Sequence, residues 1–127
     1  MKYILVVEDE DFLARVLRDN LTLEGYEIDV AVDGEEALEK IRAKQPSLIL
    51  LDLLLPKKDG FQVLEELKAN PDLKLIPVVV LSNLGSDADI KRALAMGADD
   101  YFVKSQHPIA EVIERVRKYV AGAGTKQ

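Results

Sequence analysis

Short runs of leucine and β-branched residues alternate along the chain with stretches of helical period. The runs are "YILVV" (3–7), "YEIDVA" (26–31), "LILLD" (48–52), "IPVVVLS" (76–82) and "DYFVK" (100–104). In the first intervening stretch Leu13, Leu17 and Leu21 fall four apart, flanked by Phe12 and Val16. In the last, Ile109, Val112, Ile113, Val116 and Val120 form one apolar stripe, the mark of an amphipathic helix. Further helices are predicted over 34–44, 60–69 and 86–96. Gly25, Gly34, Pro46, Gly60, Pro71, Gly85 and Gly97 punctuate the joins, and Pro108 opens the last helix, where proline is tolerated.

Strands alternating with helices read as a parallel α/β sheet covered on both faces. Near-continuous apolar runs such as "LILL" and "VVVL" suit strands buried on both sides. The expected fold is a three-layer, flavodoxin-like doubly wound (βα)5 domain with strand order 2-1-3-4-5. It is expected over residues 1–121, with 122–127 a flexible tail or the start of a linker.

Composition narrows the chemistry. The 127 residues suffice for one domain with its own core. There is no cysteine, which excludes disulfides, thiolate metal sites and cysteine nucleophiles. A formal net charge of −6 argues against nucleic acid or an anionic membrane as a direct partner. The opening "MKYILVVED" is too short an apolar run for a signal peptide or a spanning helix, so a cytoplasmic protein is expected.

The polar residues within this pattern gather at one edge. Glu8 and Asp9 follow the first strand, Asp52 ends the third, Ser82 the fourth and Lys104 the fifth. Ligands of open parallel sheets bind beyond the carboxyl ends of the strands, where the strand order reverses. Taken singly, each residue has a plainer reading: Glu8 and Asp9 as helix caps, Asp52 as a loop acid, Ser82 as a turn residue, Lys104 as a solvated lysine. Their coincidence at one edge favours a site. Two like charges about 4 Å apart cost roughly 4 kcal/mol at an effective dielectric of about 20, and one lysine cannot offset three acids. Either an acid keeps its proton or a cation binds. A hard divalent ion such as Mg²⁺ suits carboxylate oxygens and phosphate. His107, beside Pro108, is expected to face solvent, and Glu111 with Arg115 to form a surface pair along one helix.

The pieces "ILVVEDE" (4–10), "LILLDLLLPKKDG" (48–60), "IPVVVLS" (76–82) and "MGADDYFVKS" (96–105), in this order and spacing, resemble the receiver domain of two-component response regulators over nearly the whole chain. The resemblance implies that Asp52 accepts a phosphoryl group from a sensor histidine kinase or a histidine phosphotransfer protein. It further implies that Asp9, Asp52 and the Leu54 carbonyl ligate Mg²⁺, with Glu8 acting through a metal-bound water. Lys104 pairs with the acceptor and then the phosphoryl group. Ser82 and Tyr101 are the switch pair, and the helix 4–strand 5–helix 5 face carries the output to a downstream protein. A monomer that dimerises on phosphorylation is a further implication, through Glu111 and Arg115. The chain is expected to act as a switch, not as a turnover enzyme.

Departures from the family pattern are Ser105 where proline is usual after the lysine, Lys58 before "DG", and Asn83 after Ser82. With proline absent, the isomer of the Lys104–Ser105 bond is open. Leu54 and Leu84 stand where attacking water is guided in fast-hydrolysing relatives, and so predict a long-lived aspartyl phosphate. Competing readings are a haloacid-dehalogenase-type phosphatase built on Asp9-Glu10-Asp11, a degenerate receiver acting only as an interaction module, and a flavodoxin-like cofactor carrier. The acidic "EDEDF" loop lacks the glycine and hydroxyl residues of a phosphate cradle, which disfavours the last.

Overall fold

A computed structural model describes residues 2–122. Five strands and five helices alternate: β1 Tyr3–Val7, α1 Asp11–Leu23, β2 Glu27–Ala31, α2 Gly34–Ala43, β3 Leu48–Leu51, α3 Gly60–Ala69, β4 Val78–Ser82, α4 Asp87–Ala95, β5 Asp100–Val103 and α5 Ile109–Gly122. All strand pairs are parallel, in the order β2-β1-β3-β4-β5. This is the doubly wound sheet expected from the sequence. Helix α5 runs to Gly122, and residues 123–127 of the expected tail lie outside the described residues.

Strand alternation sorts the core into two layers. Ile4 and Val6 of β1 point to the side covered by α1 and α5, where they meet Leu17, Leu21, Leu50, Leu81, Val112 and Val116. Leu5 and Val7 point the other way, onto Ala37, Leu38 and Ile41 of α2, Val63, Leu64 and Leu67 of α3 and Ala93 of α4. Both faces of the inner strands are therefore dry, which is why their sequence reads as unbroken apolar runs. Among the described residues no helix is long and apolar enough to cross a membrane.

Element boundaries follow local chemistry. Asp33 caps α2 by accepting from the Glu36 N–H at 2.8 Å, Asp59 and Gln62 form a reciprocal capping box on α3, and Ser86 caps α4. Helices α1 and α4 run into Gly25 (φ 96°) and Gly97 (φ 110°), left-handed positions that end a helix without a Cβ penalty. The sequence-predicted start of β4 at Ile76 moves to Val78, because the Ile76 N–H closes a turn onto the Leu73 carbonyl and Pro77 has no N–H to give. Every peptide bond in the described residues is trans, Lys104–Ser105 included.

Candidate functional site

The site is built where β1 and β3 diverge to neighbours that run on in opposite directions. Parallel register sets Val7 beside Leu51, so the residues just beyond, Glu8 and Asp52, emerge side by side. The Asp52 N–H still joins the ladder, donating to the Val7 carbonyl at 3.0 Å. On the far side the Lys104 N–H donates to the Ser82 carbonyl at 2.9 Å, which sends the lysine side chain back across the sheet end. Local folding thus carries four of the sequence-predicted site residues to one rim.

Glu8, Asp9 and Asp52 each bring a carboxylate oxygen within 4.8 Å of the others. Glu8 and Asp52 are 2% and 3% exposed, whereas Asp9 stands open to solvent. The Lys104 Nζ lies 2.8 Å from Asp52 Oδ2 and 3.0 Å from Glu8 Oε1. Burial lowers the Lys104 pKa, but hydrogen bonds and charge from Asp52 and Glu8 outweigh it, and the ammonium is held more firmly than usual. Glu8 is pushed up to about 7, by burial first and the Asp52 charge second, against the pull of Lys104. The crowding expected from three acids and one lysine is thus eased by the raised Glu8 pKa, which favours the neutral carboxyl.

Asp52 is oriented by its own loop: the Leu54 N–H donates to Oδ1 at 3.1 Å, leaving Oδ2 to Lys104. Ser82 is fully buried and its hydroxyl accepts from the Leu84 N–H at 3.4 Å. Tyr101 is half-buried, with its hydroxyl donating to the Leu84 carbonyl. Leu84 is thus held through both of its peptide groups, by the two residues singled out as a switch pair. Burial, then the charges of Asp89 and Asp52, push the Tyr101 phenol up to about 12.

Three plainer readings of the sequence are corrected here. The capping role for the first acidic stretch fails, because α1 has no side-chain cap; the Glu8 carboxylate instead accepts from the Glu10 N–H and from Lys104. His107 does not simply face solvent, since its ring meets Phe102 edge-on at 5.1 Å and its Nδ1 lies 3.0 Å from Glu111. That contact, and the pairing of Arg115 with Asp100, take the place of a Glu111–Arg115 helix pair. Sequence reading missed Glu10, whose Oε2 lies 3.3 Å from Lys104. Its only signal was a third acid in "EDED", a pattern equally natural at a helix start.

The donor set fits a hard divalent cation: all-oxygen ligands, two of them buried, with one exposed acid at the mouth. An open α/β sheet with carboxylates and a lysine at its switch point is the class of molecule this geometry defines. The family model for the response regulator receiver domain matches residues 4–117, and the chain belongs to that family. It is 44% identical over 116 residues to the probable transcriptional regulator ycf27 of Cyanophora paradoxa, covering 91% of this chain and 47% of that protein. It resembles the Mn(2+)-bound form of response regulator Rcp1, with a TM-score of 0.82 and 35% identity over 93% of this chain and 91% of that one. The phosphorylated cyanobacterial phytochrome response regulator RcpA matches with a TM-score of 0.83 and 35% identity over 99% and 96%.

The chain spans about half the length of the curated relatives it matches. Those relatives are named transcriptional regulators, which contradicts the expectation that nucleic acid is no direct partner. The net charge behind that expectation describes only the stretch that matches the receiver half.

Proposed function

We propose that the chain is a phosphorylation switch whose acceptor is Asp52. The observation that carries this reading is one buried carboxylate at the end of β3, bonded to Lys104 at 2.8 Å and ringed by the oxygens of Glu8 and Asp9. Asp52 Oδ attacks the phosphorus of a phosphohistidine on a kinase or phosphotransfer protein. An O–P bond forms, the P–N bond breaks, and the electron pair leaves on the imidazole nitrogen, which takes up a proton. Lys104 hydrogen-bonds the acceptor before transfer and pairs with the phosphoryl oxygens after it. Glu8, Asp9, Asp52 and the Leu54 carbonyl would hold Mg²⁺, which when bound offsets the charge of acceptor and phosphoryl group.

The acyl phosphate adds strong acceptor oxygens at the sheet edge. Ser82 turns its hydroxyl to them and gives up the Leu84 N–H. Tyr101, bonded to the same residue, responds, and the α4–β5–α5 face shifts between two packings. Residues 1–121 form the receiver, in a cytoplasmic setting, and the names of the relatives support a longer protein in which this shift governs transcription. Leu54 and Leu84 line one apolar groove beside Asp9, and there they keep water from the phosphorylated acceptor. A phosphorylated half-life of seconds in Mg²⁺ would overturn that last role.

The test is intact mass after incubation of wild type and Asp52→Asn with Mg²⁺ and acetyl phosphate. Wild type is expected to gain one phosphoryl group and Asp52→Asn none. Equal labelling of both rejects the acceptor assignment, and label on Asp9 favours the phosphatase reading. No label on wild type favours a degenerate receiver, a reading opposed by the chemically competent side chain at each of Glu8, Asp9, Asp52, Ser82 and Lys104.

A further inference from the structure

We propose that Gly34 and Lys57 are positioning residues for Asp52, acting through the loop between β3 and α3. The proposal rests on the reading of Asp52 as acceptor and metal ligand. It begins from a glycine that the backbone does not require. Gly34 opens α2 and is not among the positive-φ residues, so alanine, the better helix former, suits its conformation. What excludes a side chain is the acceptor loop: an added Cβ would lie 1.9 Å from the Lys58 carbonyl oxygen, 2.7 Å from its carbon and 2.8 Å from its Cβ. Two of those are main-chain atoms, which cannot swing aside. The N-terminus of α2 is therefore a stop against which the loop rests.

Lys57 sets the loop on that stop. It has φ 65°, the left-handed region that a lysine seldom enters. Its ammonium lies 3.7 Å from Asp33 Oδ2, while Asp33 Oδ1 caps α2. Lys58 is tied down in turn by Glu66 on α3. The other end of the loop is equally tight. The Gly60 N–H donates to the Leu53 carbonyl at 3.0 Å, and a Cβ at Gly60 would sit 2.4 Å from the Asp52 carbonyl oxygen. Between these two fixed points lies Leu54, whose N–H holds Asp52 Oδ1 at 3.1 Å. Sliding the loop off Gly34 moves that N–H, and with it the aim of the carboxylate.

The experiment compares Gly34→Ala, Lys57→Val, Lys57→Gly and Ile41→Val with wild type. Ile41 is buried in α2 away from the loop, so its truncation lowers stability without touching the stop. The readouts are the Mg²⁺ dissociation constant by calorimetry, the Leu54 amide resonance, the labelling rate at saturating acetyl phosphate, and the urea midpoint. Gly34→Ala and Lys57→Val are expected to shift the Leu54 resonance and to weaken Mg²⁺ binding or slow labelling by about tenfold, the scale of a sub-ångström misplacement. Lys57→Gly, which enters the left-handed region freely but loses the contact to Asp33, is expected to lose less than Lys57→Val, and Ile41→Val keeps wild-type values despite its lower midpoint.

Wild-type affinity and rate in both Gly34→Ala and Lys57→Val overturn the proposal. So does an equal loss in Ile41→Val, which would reduce the effect to stability. If Gly34→Ala does not fold, Lys57→Val against Lys57→Gly decides alone. A wild type without label at Asp52 overturns the functional reading and this proposal with it; a labelled wild type beside unaffected variants overturns only the proposal.

Discussion

Lys104→Met removes the cation that touches both buried carboxylates while keeping most of the apolar stem. Nζ lies 2.8 Å from Asp52 and 3.0 Å from Glu8. At an effective dielectric of about 20, two contacts of roughly 3 Å sum to about 11 kcal/mol of attraction, most of it cancelled by the cost of desolvating three charges. What remains on truncation is the penalty of leaving the acids facing each other, about 3–5 kcal/mol for a broken buried pair.

Glu8, with its raised pKa, gives this penalty a pH dependence. Its folded-state pKa is raised from 4.5 to about 7, so the native state binds a proton that the unfolded chain has lost, and wild-type stability falls as pH rises across that window. Without Lys104 the folded pKa rises further. The deficit of the variant is therefore largest above pH 7 and shrinks as the solution is acidified. Urea unfolding followed by circular dichroism at about pH 8 and about pH 6 measures it. With a slope of about 2 kcal/mol per molar urea, the midpoint should fall by roughly 2 M at the higher pH. Mg²⁺ should restore part of the loss, since it replaces the missing positive charge. A midpoint within about 0.3 M of wild type at the higher pH, or a deficit that grows on acidification, would refute the electrostatic account.

Gly60→Ala forces a Cβ to 2.4 Å from the Asp52 carbonyl oxygen and 2.5 Å from the Leu53 Cα, so thermal unfolding should report a loss of about 1–3 kcal/mol. Tyr101, raised from 10.0 to about 12, should titrate late in a tyrosinate absorbance scan; its contribution to stability is complete below pH 10 and is lost as pH climbs through 12, and Tyr101→Phe should abolish that late step. Leu54→Asn, at the groove beside the acceptor, should shorten the lifetime of phosphorylated protein as followed by intact mass, whereas an unchanged lifetime would assign water exclusion elsewhere.

The strands, helices and sheet order were legible because apolar runs, helical stripes and glycine stops repeat without interruption from β1 to α5. The rim residues were legible for the same reason: once strand ends are known, Glu8, Asp52, Ser82 and Lys104 follow. What escaped depends on contacts between segments distant in sequence. Nothing local tells that Glu10 turns to Lys104, that Arg115 takes Asp100 in place of Glu111, or that Lys58 lies against Gly34. Lys57 and Lys58, the least typical letters after the acceptor, had no reading until the neighbouring helix was in place.

The sheet also acts as a partition. Buried side chains on its two faces fall into separate clusters, one under α1 and α5, the other under α2, α3 and α4. Substitutions that share a cluster compete for the same volume and are expected to interact; substitutions on opposite faces meet only through the strand backbones and are expected to add. The permissible sequences for this fold thus factor into two nearly independent alphabets. A lineage can rewrite one layer while the other stays fixed, and the rim residues, contributed by strands common to both, are the part that neither rewriting can move.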